Sequence, residues 1–307
     1  MAEVNLTTSL TQDVMTYYEK VFLARANYEL ILKEGAQMRT HGKYSGKTIN
    51  FTRYEPLAIS TTALTEASNP GASQITASTV AVTLAEYGNT VITSKLHELT
   101  SIDANFKEAI SLVGQNMGET LNRIVGNELS SATVYFPNSR NVSTVTTADT
   151  MNACAIRGMV QTLEIAKARP YADGFFLGKT NWISKYTLLG DSTWVNAHTY
   201  SDTKELYKGE MGELYQVRWL LNKDIASANG NTGAAACSTV VYYSYVHGQD
   251  AFGCFDLEGD QPKLYILANA VDSVNTTGRR SYISWAGAYA VKLLNSAWSL
   301  TGKFTAA

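Results

Sequence analysis

Apolar positions along this chain follow two periods. Between residues 13 and 34, Val14, Tyr17, Val21, Ala24, Tyr28 and Ile31 recur every three or four positions, which predicts a helix with one apolar stripe, closed by Gly35 at its C-terminal cap. Its other side carries Tyr18, Phe22 and Leu32, so the helix is expected to lie between two bodies. The strongest stripe is Ile102, Phe106, Ile110, Val113, Met117, Leu121 and Ile124. It predicts a helix over 103–131, with Thr100 and Asp103 as a capping box and Glu119 paired to Arg123 on the solvent side. At 1.5 Å per residue that helix is about 40 Å long, enough to act as the spine of a domain. A third helix is expected after Asp149, read as its cap, with Met151, Ile156, Met159, Val160, Leu163 and Ala166 inward and Arg169-Pro170 ending it.

Residues 47–93 change period. Ile49 and Phe51 alternate with polar residues, and so do Val80, Val82 and Leu84, which predicts two strands with one apolar face each. The stretch between them, 61–78, offers only Leu64 and Ile75 as large aliphatics, with Asn69-Pro70-Gly71 as a turn signal. This is the pattern of a long β-hairpin arm. A two-stranded hairpin is marginal alone in water, so the arm needs a surface to lie on, and a second copy of the chain is the expected one. Leu64 and Ile75 would anchor it, with Pro70 and Gly71 at the turn, while Tyr18 and Phe22 of the first helix would face a neighbour as well.

Beyond residue 170 the elements shorten. Strands are expected at 174–177, 214–221, 239–246 and 263–268, a short helix at 181–189, and one or two long strands within 281–300. Residues 229–236 read as a small-residue loop. Helices and strands mix without a βαβ rhythm, which makes the fold class α+β.

Composition agrees with a large buried core and a covered surface: 45% of the 307 residues are hydrophobic and 17% charged. A net charge of −2 excludes a freely diffusing nucleic-acid binder that relies on a basic stripe. With no run of 18 apolar residues and no basic-then-apolar N-terminus, no membrane partner is expected and synthesis in the cytoplasm is. Cys154, Cys237 and Cys254 have no C-x-x-C spacing and read as small buried residues.

Candidate chemistry is thin. HGKYSGKT (41–48) leaves three residues between its glycines where a phosphate loop needs four, and it is read as a hinge between helix and arm. His41, His97, His198 and His247 are scattered, so no metal site is expected. The acid pairs Asp256/Glu258 and Glu210/Glu213 read as turn residues. Arg279 and Arg280, read as lying beside Lys263, form the one basic spot, facing either nucleic acid weakly or an interface. No G-x-S-x-G elbow occurs, a Ser/His/Asp triad stays open because its members are not sequence neighbours, and no cofactor is expected.

Four segments resemble the major capsid protein of tailed bacteriophages, of the short-tailed coliphage type. They are GKTINFTRYEPL (46–57) with TALTEASNPGA (62–72), LAEYGNTVITSKLHELTSID (84–103), KGEMGELYQVRWLLNKD (208–224) and ISWAGAYAVKLLNSAWS (283–299). The resemblance implies the Johnson fold shared with herpesvirus shells. Its parts would be an N-terminal arm over 1–45, an extended loop over 46–95, a peripheral domain over 96–170 with 271–307, and an axial domain over 171–270. It implies a non-enzymatic shell protein that assembles as pentamers and hexamers into an icosahedral head around double-stranded DNA. The partners it implies are further copies of the chain, a separate scaffolding protein, a portal, a decoration protein and the packaged DNA through weak nonspecific contact. Some relatives crosslink a lysine of the extended loop, but 48–85 contains none. An encapsulin-like compartment shell and an α+β enzyme with an interdomain cleft are the alternatives.

Overall fold

A computed structural model describes residues 11–55, 57–61, 63, 66, 69, 71–100, 105–139, 145–193, 212–223, 225, 227–229, 240–269, 271 and 275–305. The elements run α1 (Thr11–Glu29), β1 (Gln37–His41), β2 (Thr48–Tyr54), β3 (Ala77–Thr83), β4 (Ala85–Ser94), α2 (Lys95–Thr100), α3 (Asn105–Leu129), β5 (Thr133–Tyr135) and α4 (Ala153–Ile165). They continue β6 (Phe176–Thr180), α5 (Trp182–Leu189), β7 (Glu213–Leu214), β8 (Val217–Leu221), β9 (Ser227–Asn229), β10 (Val240–His247), β11 (Phe252–Leu257), β12 (Lys263–Leu267), β13 (Arg280–Leu293) and β14 (Ser299–Thr305). The mixture is α+β. Among the described residues no helix is long and apolar enough to cross a membrane.

Two sheets organise the chain. The first is built around β13, which pairs with β4 from Arg280↔Ser94 to Tyr289↔Ala85 on one side. On its other side β12 and β11 follow one another as a single interrupted strand, and β1 adds to β11 in parallel. Helix α3 packs its stripe of Ile110, Val113, Met117 and Leu121 into this body, with every one of those side chains buried. One polar point ties three elements: the Asn116 Oδ1 accepts from the Trp285 Nε1 at 3.0 Å and from the Asn89 Nδ2 at 3.1 Å. The second sheet runs β5-β14-β10-β6-β8-β7, with β9 on β10. Its core is the apolar side of α4 against β14 and β10, with Met151, Ile156, Met159, Leu163 and Phe304 buried. The far end of α3 reaches this sheet too, because the Tyr245 hydroxyl donates to Gly126 O and the Thr301 hydroxyl to Leu129 O.

Several sequence expectations shift for physical reasons. Helix α1 ends at Glu29, five residues before the expected 34, and Gly35 lies in the following turn at φ +75°. A Cβ there would come within 2.4 Å of the Tyr171 hydroxyl and 2.8 Å of the His247 ring, so close approach and backbone angle both require glycine. The faces of α1 are the reverse of those expected. Phe22, Ala26 and Leu30 enter the core beside α3, while Tyr17, Leu23 and Ala24 are exposed. The cause sits on α3: any Cβ at Gly114 would stand 2.7 Å from Phe22 O, so the glycine lets α1 press its Phe22 side down.

Asn152, not Asp149, caps α4, its side chain accepting from the Ala155 N–H at 2.8 Å. Asp149 instead holds the preceding loop, accepting from the Thr146 N–H and from Asn138. Thr100 ends α2, and its expected capping partner Asp103 lies outside the described residues. HGKYSGKT follows a strand rather than a helix, since β1 precedes it. Cys154 is exposed and Cys254 buried, while Cys237 lies outside the described residues. The expected boundary near residue 270 is crossed by both sheets: β14 pairs with β10 from Val241↔Thr305 to His247↔Ser299, and β13 pairs with β11 and β12.

Candidate assembly surfaces

The arm forms as the alternation predicts, β2 and β3 pairing antiparallel from Thr48↔Thr83 to Tyr54↔Ala77. Its two ends differ. At the base Phe51, Val82 and Leu84 are buried against Phe255 and Ala290, and the Phe51 and Phe255 rings lie 4.6 Å apart. The Arg39 guanidinium sits over the Phe51 ring, 4.8 Å from its centroid. From Tyr54 outward the described apolar residues are open: Tyr54 and Leu57 are exposed, Ile59 is 82% and Ile75 66% exposed. Gly71 is exposed too, and a Cβ added to it would meet no atom within 4 Å. The other two expected anchors, Leu64 and Pro70, lie outside the described residues.

The α1 residues part company. Tyr18 is half-buried, edge-on to Phe106 at 5.7 Å between centroids. Phe22 is 1% exposed inside its own subunit, so it cannot serve as a contact to a neighbour, contrary to expectation. Tyr17 and Leu23 hold the outward positions instead.

The basic spot also divides. Arg279 and Arg280 are exposed where β13 begins, with their backbone held by Asn275, which accepts from the Arg279 N–H at 2.9 Å and donates to Arg280 O at 2.8 Å. Lys263 pairs with Ala286, six residues further along β13, which places it about 20 Å away from Arg280. Its ammonium lies over the Tyr265 ring instead.

Two exposed apolar patches were missed in the sequence. Leu96 and Leu99 of α2 are 73% and 74% exposed, next to the exposed Ile92 of β4. On α5, Trp182, Tyr186 and Leu189 recur at spacings of four and three and all face outward. The α5 signal was present in the spacing, opposite the buried side formed by Leu188 and Ser184 of the same short helix.

Among the described residues no group of three His, Cys, Asp or Glu side chains could hold a metal ion. Glu213 accepts from Arg218 at 2.7 Å across the β7–β8 turn, and Asp256 accepts from the Gln261 amide at 2.8 Å, so both acids serve local turns. Marked electrostatic perturbations lie inside, where the two sheets meet. Burial pushes the Lys179 amine down to about 7 and holds His247 well below the ordinary imidazole value, with the Lys179 charge a second cause for the latter.

The chain thus combines a two-sheet body, a long central helix and a hairpin arm anchored at its base. Solved structures share this fold: the capsid of Ralstonia phage GP4 matches with a TM-score of 0.69 at 12% identity, over 89% of this chain and 87% of that one. The capsid chain of cyanophage Pam1 matches with a TM-score of 0.65 at 15% identity, over 100% and 95%. The acid-stable capsid of Helicobacter pylori bacteriophage KHP30 matches with 0.65 at 13%, over 88% of each chain. The chain therefore has the phage capsid fold. No family model matches the sequence, and no curated protein matches it.

Proposed function

We propose that this protein is the major capsid protein of a tailed bacteriophage, a structural and non-enzymatic subunit that assembles as pentamers and hexamers into an icosahedral head around double-stranded DNA. The observation that carries this reading is the arm: a hairpin anchored by Phe51, Val82 and Leu84 at its base, whose outer aliphatics Leu57, Ile59 and Ile75 stand exposed among the described residues. A second copy supplies the missing surface, and the exposed apolar groups on α2 and α5 are further places for copies to meet. The fold of phage capsids supports the same reading, which favours a virion over a compartment shell.

In this reading a scaffolding protein and a portal guide assembly, a decoration protein binds outside, and synthesis takes place in the host cytoplasm. Arg279 and Arg280 contact the packaged DNA or a neighbouring subunit weakly; their guanidinium groups have no partner among the described residues. The test is electron microscopy of the chain co-expressed with its scaffold and portal. Closed shells with five- and six-fold capsomers are expected. A chain that stays monomeric at high concentration under those conditions overturns the proposal.

A further inference from the structure

The turn after α1 is held from beneath by a single lysine. Lys179 on β6 is fully buried, its Nζ donating to Leu32 O at 2.5 Å and to Glu34 O at 2.7 Å, with the Phe252 ring centroid 4.8 Å away. Among the described residues no carboxylate forms an ion pair with it. Beside it the Tyr171 hydroxyl bridges Gly35 O at 2.8 Å and His247 Nδ1 at 2.9 Å, and the buried His247 Nε2 has no partner. Lys179 and His247 belong to one sheet, Phe252 and Cys254 to the other, and the turn leads from α1 into β1. Three parts of the subunit therefore meet on one buried ammonium and one buried imidazole.

We propose that this cluster is a proton-gated joint: any opening that brings water to Lys179 and His247 takes up protons there, so acidification loosens the turn from the two sheets and mild alkali tightens it. A buried ammonium without a counter-ion is unfavourable, and two carbonyl dipoles offset only part of the lost hydration. The direction follows from linkage. Closed, the amine titrates near 7; opened, it regains the ordinary lysine value near 10.4, so between about pH 7 and 9 only the open joint carries the proton and rising pH favours closure. Below about pH 6.5 the open joint takes a second proton on His247, with the same sign.

The other titratable groups facing the cluster bound this window. Cys254 on β11 faces the Lys179 amine, Glu34 on the turn favours its charge, and Lys33 on the turn faces Cys254. Burial pushes Cys254 up, and it pushes up Tyr289 on β13 and Tyr171 as well, Tyr171 being faced by Asp250. These three stay protonated when closed and release protons on opening above about pH 9, where the sign reverses. Closure is tightest in mild alkali. The joint belongs to the single subunit, so its test does not depend on shell formation.

The Leu32 amide, which donates to the Asn122 side chain at 2.9 Å, reports on the turn. Amide exchange from a pH-independent opening accelerates about tenfold per pH unit, while a one-proton opening becomes about tenfold rarer per unit. In the full-length wild type, Leu32 exchange is therefore expected to stay nearly level from pH 7 to 9, and in Lys179→Met to rise in the ordinary way. An ordinary rise in the wild type, or a level response in both, overturns the proposal. Should Lys179→Met not fold, the wild-type side chain decides by nuclear magnetic resonance. Titration of the Lys179 Nζ near neutrality supports the joint; a charged ammonium through pH 9 overturns it.

Discussion

The long helix and the hairpin arm are both amphipathic, yet they end differently. Along α3 every inward side chain from Ile110 to Val125 finds partners within the subunit. Along the arm the same kind of alternation finds partners only as far as Phe51 and Val80, and Ile59 and Ile75 remain in solvent. The helix is held by what the chain itself supplies, and the tip, on the proposed function, by what another copy supplies. Folding and assembly are thus written into separate residues, and they can be broken separately.

The largest expected effect comes from the tip. Replacing 57–75 by a short Gly-Ser turn leaves β2 and β3 joined and their buried base intact. Circular dichroism and thermal melting are expected to match the wild type, while electron microscopy shows no regular shells, because each copy loses strand and apolar contacts to its neighbour. Normal shells would remove the contrast. The opposite lesion is Leu121→Ala, expected to destabilise the subunit by about 2–5 kcal/mol through the cavity left in the core. Chemical denaturation measures it, and wild-type stability would mean that the stripe of α3 is not packed as described.

A smaller loss is expected from Asn116→Ala. One oxygen satisfies both the Trp285 Nε1 and the Asn89 amide. Its removal strands the Trp285 N–H, on a side chain 1% exposed, at about 1–3 kcal/mol. Smaller again is Asn152→Ala at the start of α4, about 1 kcal/mol for a lost cap. An unchanged denaturation midpoint there would return the capping role to Asp149.

What the sequence made legible follows the same division. The α3 stripe, the arm strands and the α4 face are regular alternations with one apolar side, and all three form where expected. Strand β11 was invisible because Phe252, Gly253, Cys254 and Phe255 are all buried, which erases the alternation a half-exposed strand shows. The face of α1 was misread because both sides are apolar, and the choice between them is made by Gly114 on another helix. Lys179 gave no signal at all, since a lysine inside a strand reads as a solvent position until the turn carbonyls of Leu32 and Glu34 are brought over it. Lys263 and Arg280 were read together from their chemistry, and the length of β13 keeps them apart.

The finest test of the contrast leaves the chain length alone. Ile59→Ser and Ile75→Ser remove apolar groups that touch little in the isolated subunit, being 82% and 66% exposed. Surface changes of this kind alter stability by about 0.5 kcal/mol or less, so melting and denaturation curves are expected to overlay the wild type. In the shell proposed above the same side chains would lie on a neighbour, where covering one aliphatic contributes about 1.5–3 kcal/mol. That contribution repeats at every copy, so the concentration needed for assembly, followed by light scattering, is expected to rise by at least tenfold for either variant. A lowered melting temperature would show that the isoleucines pack inside their own subunit, and an unchanged assembly threshold would place the contact elsewhere, with the exposed Leu96 and Leu99 of α2 next in line.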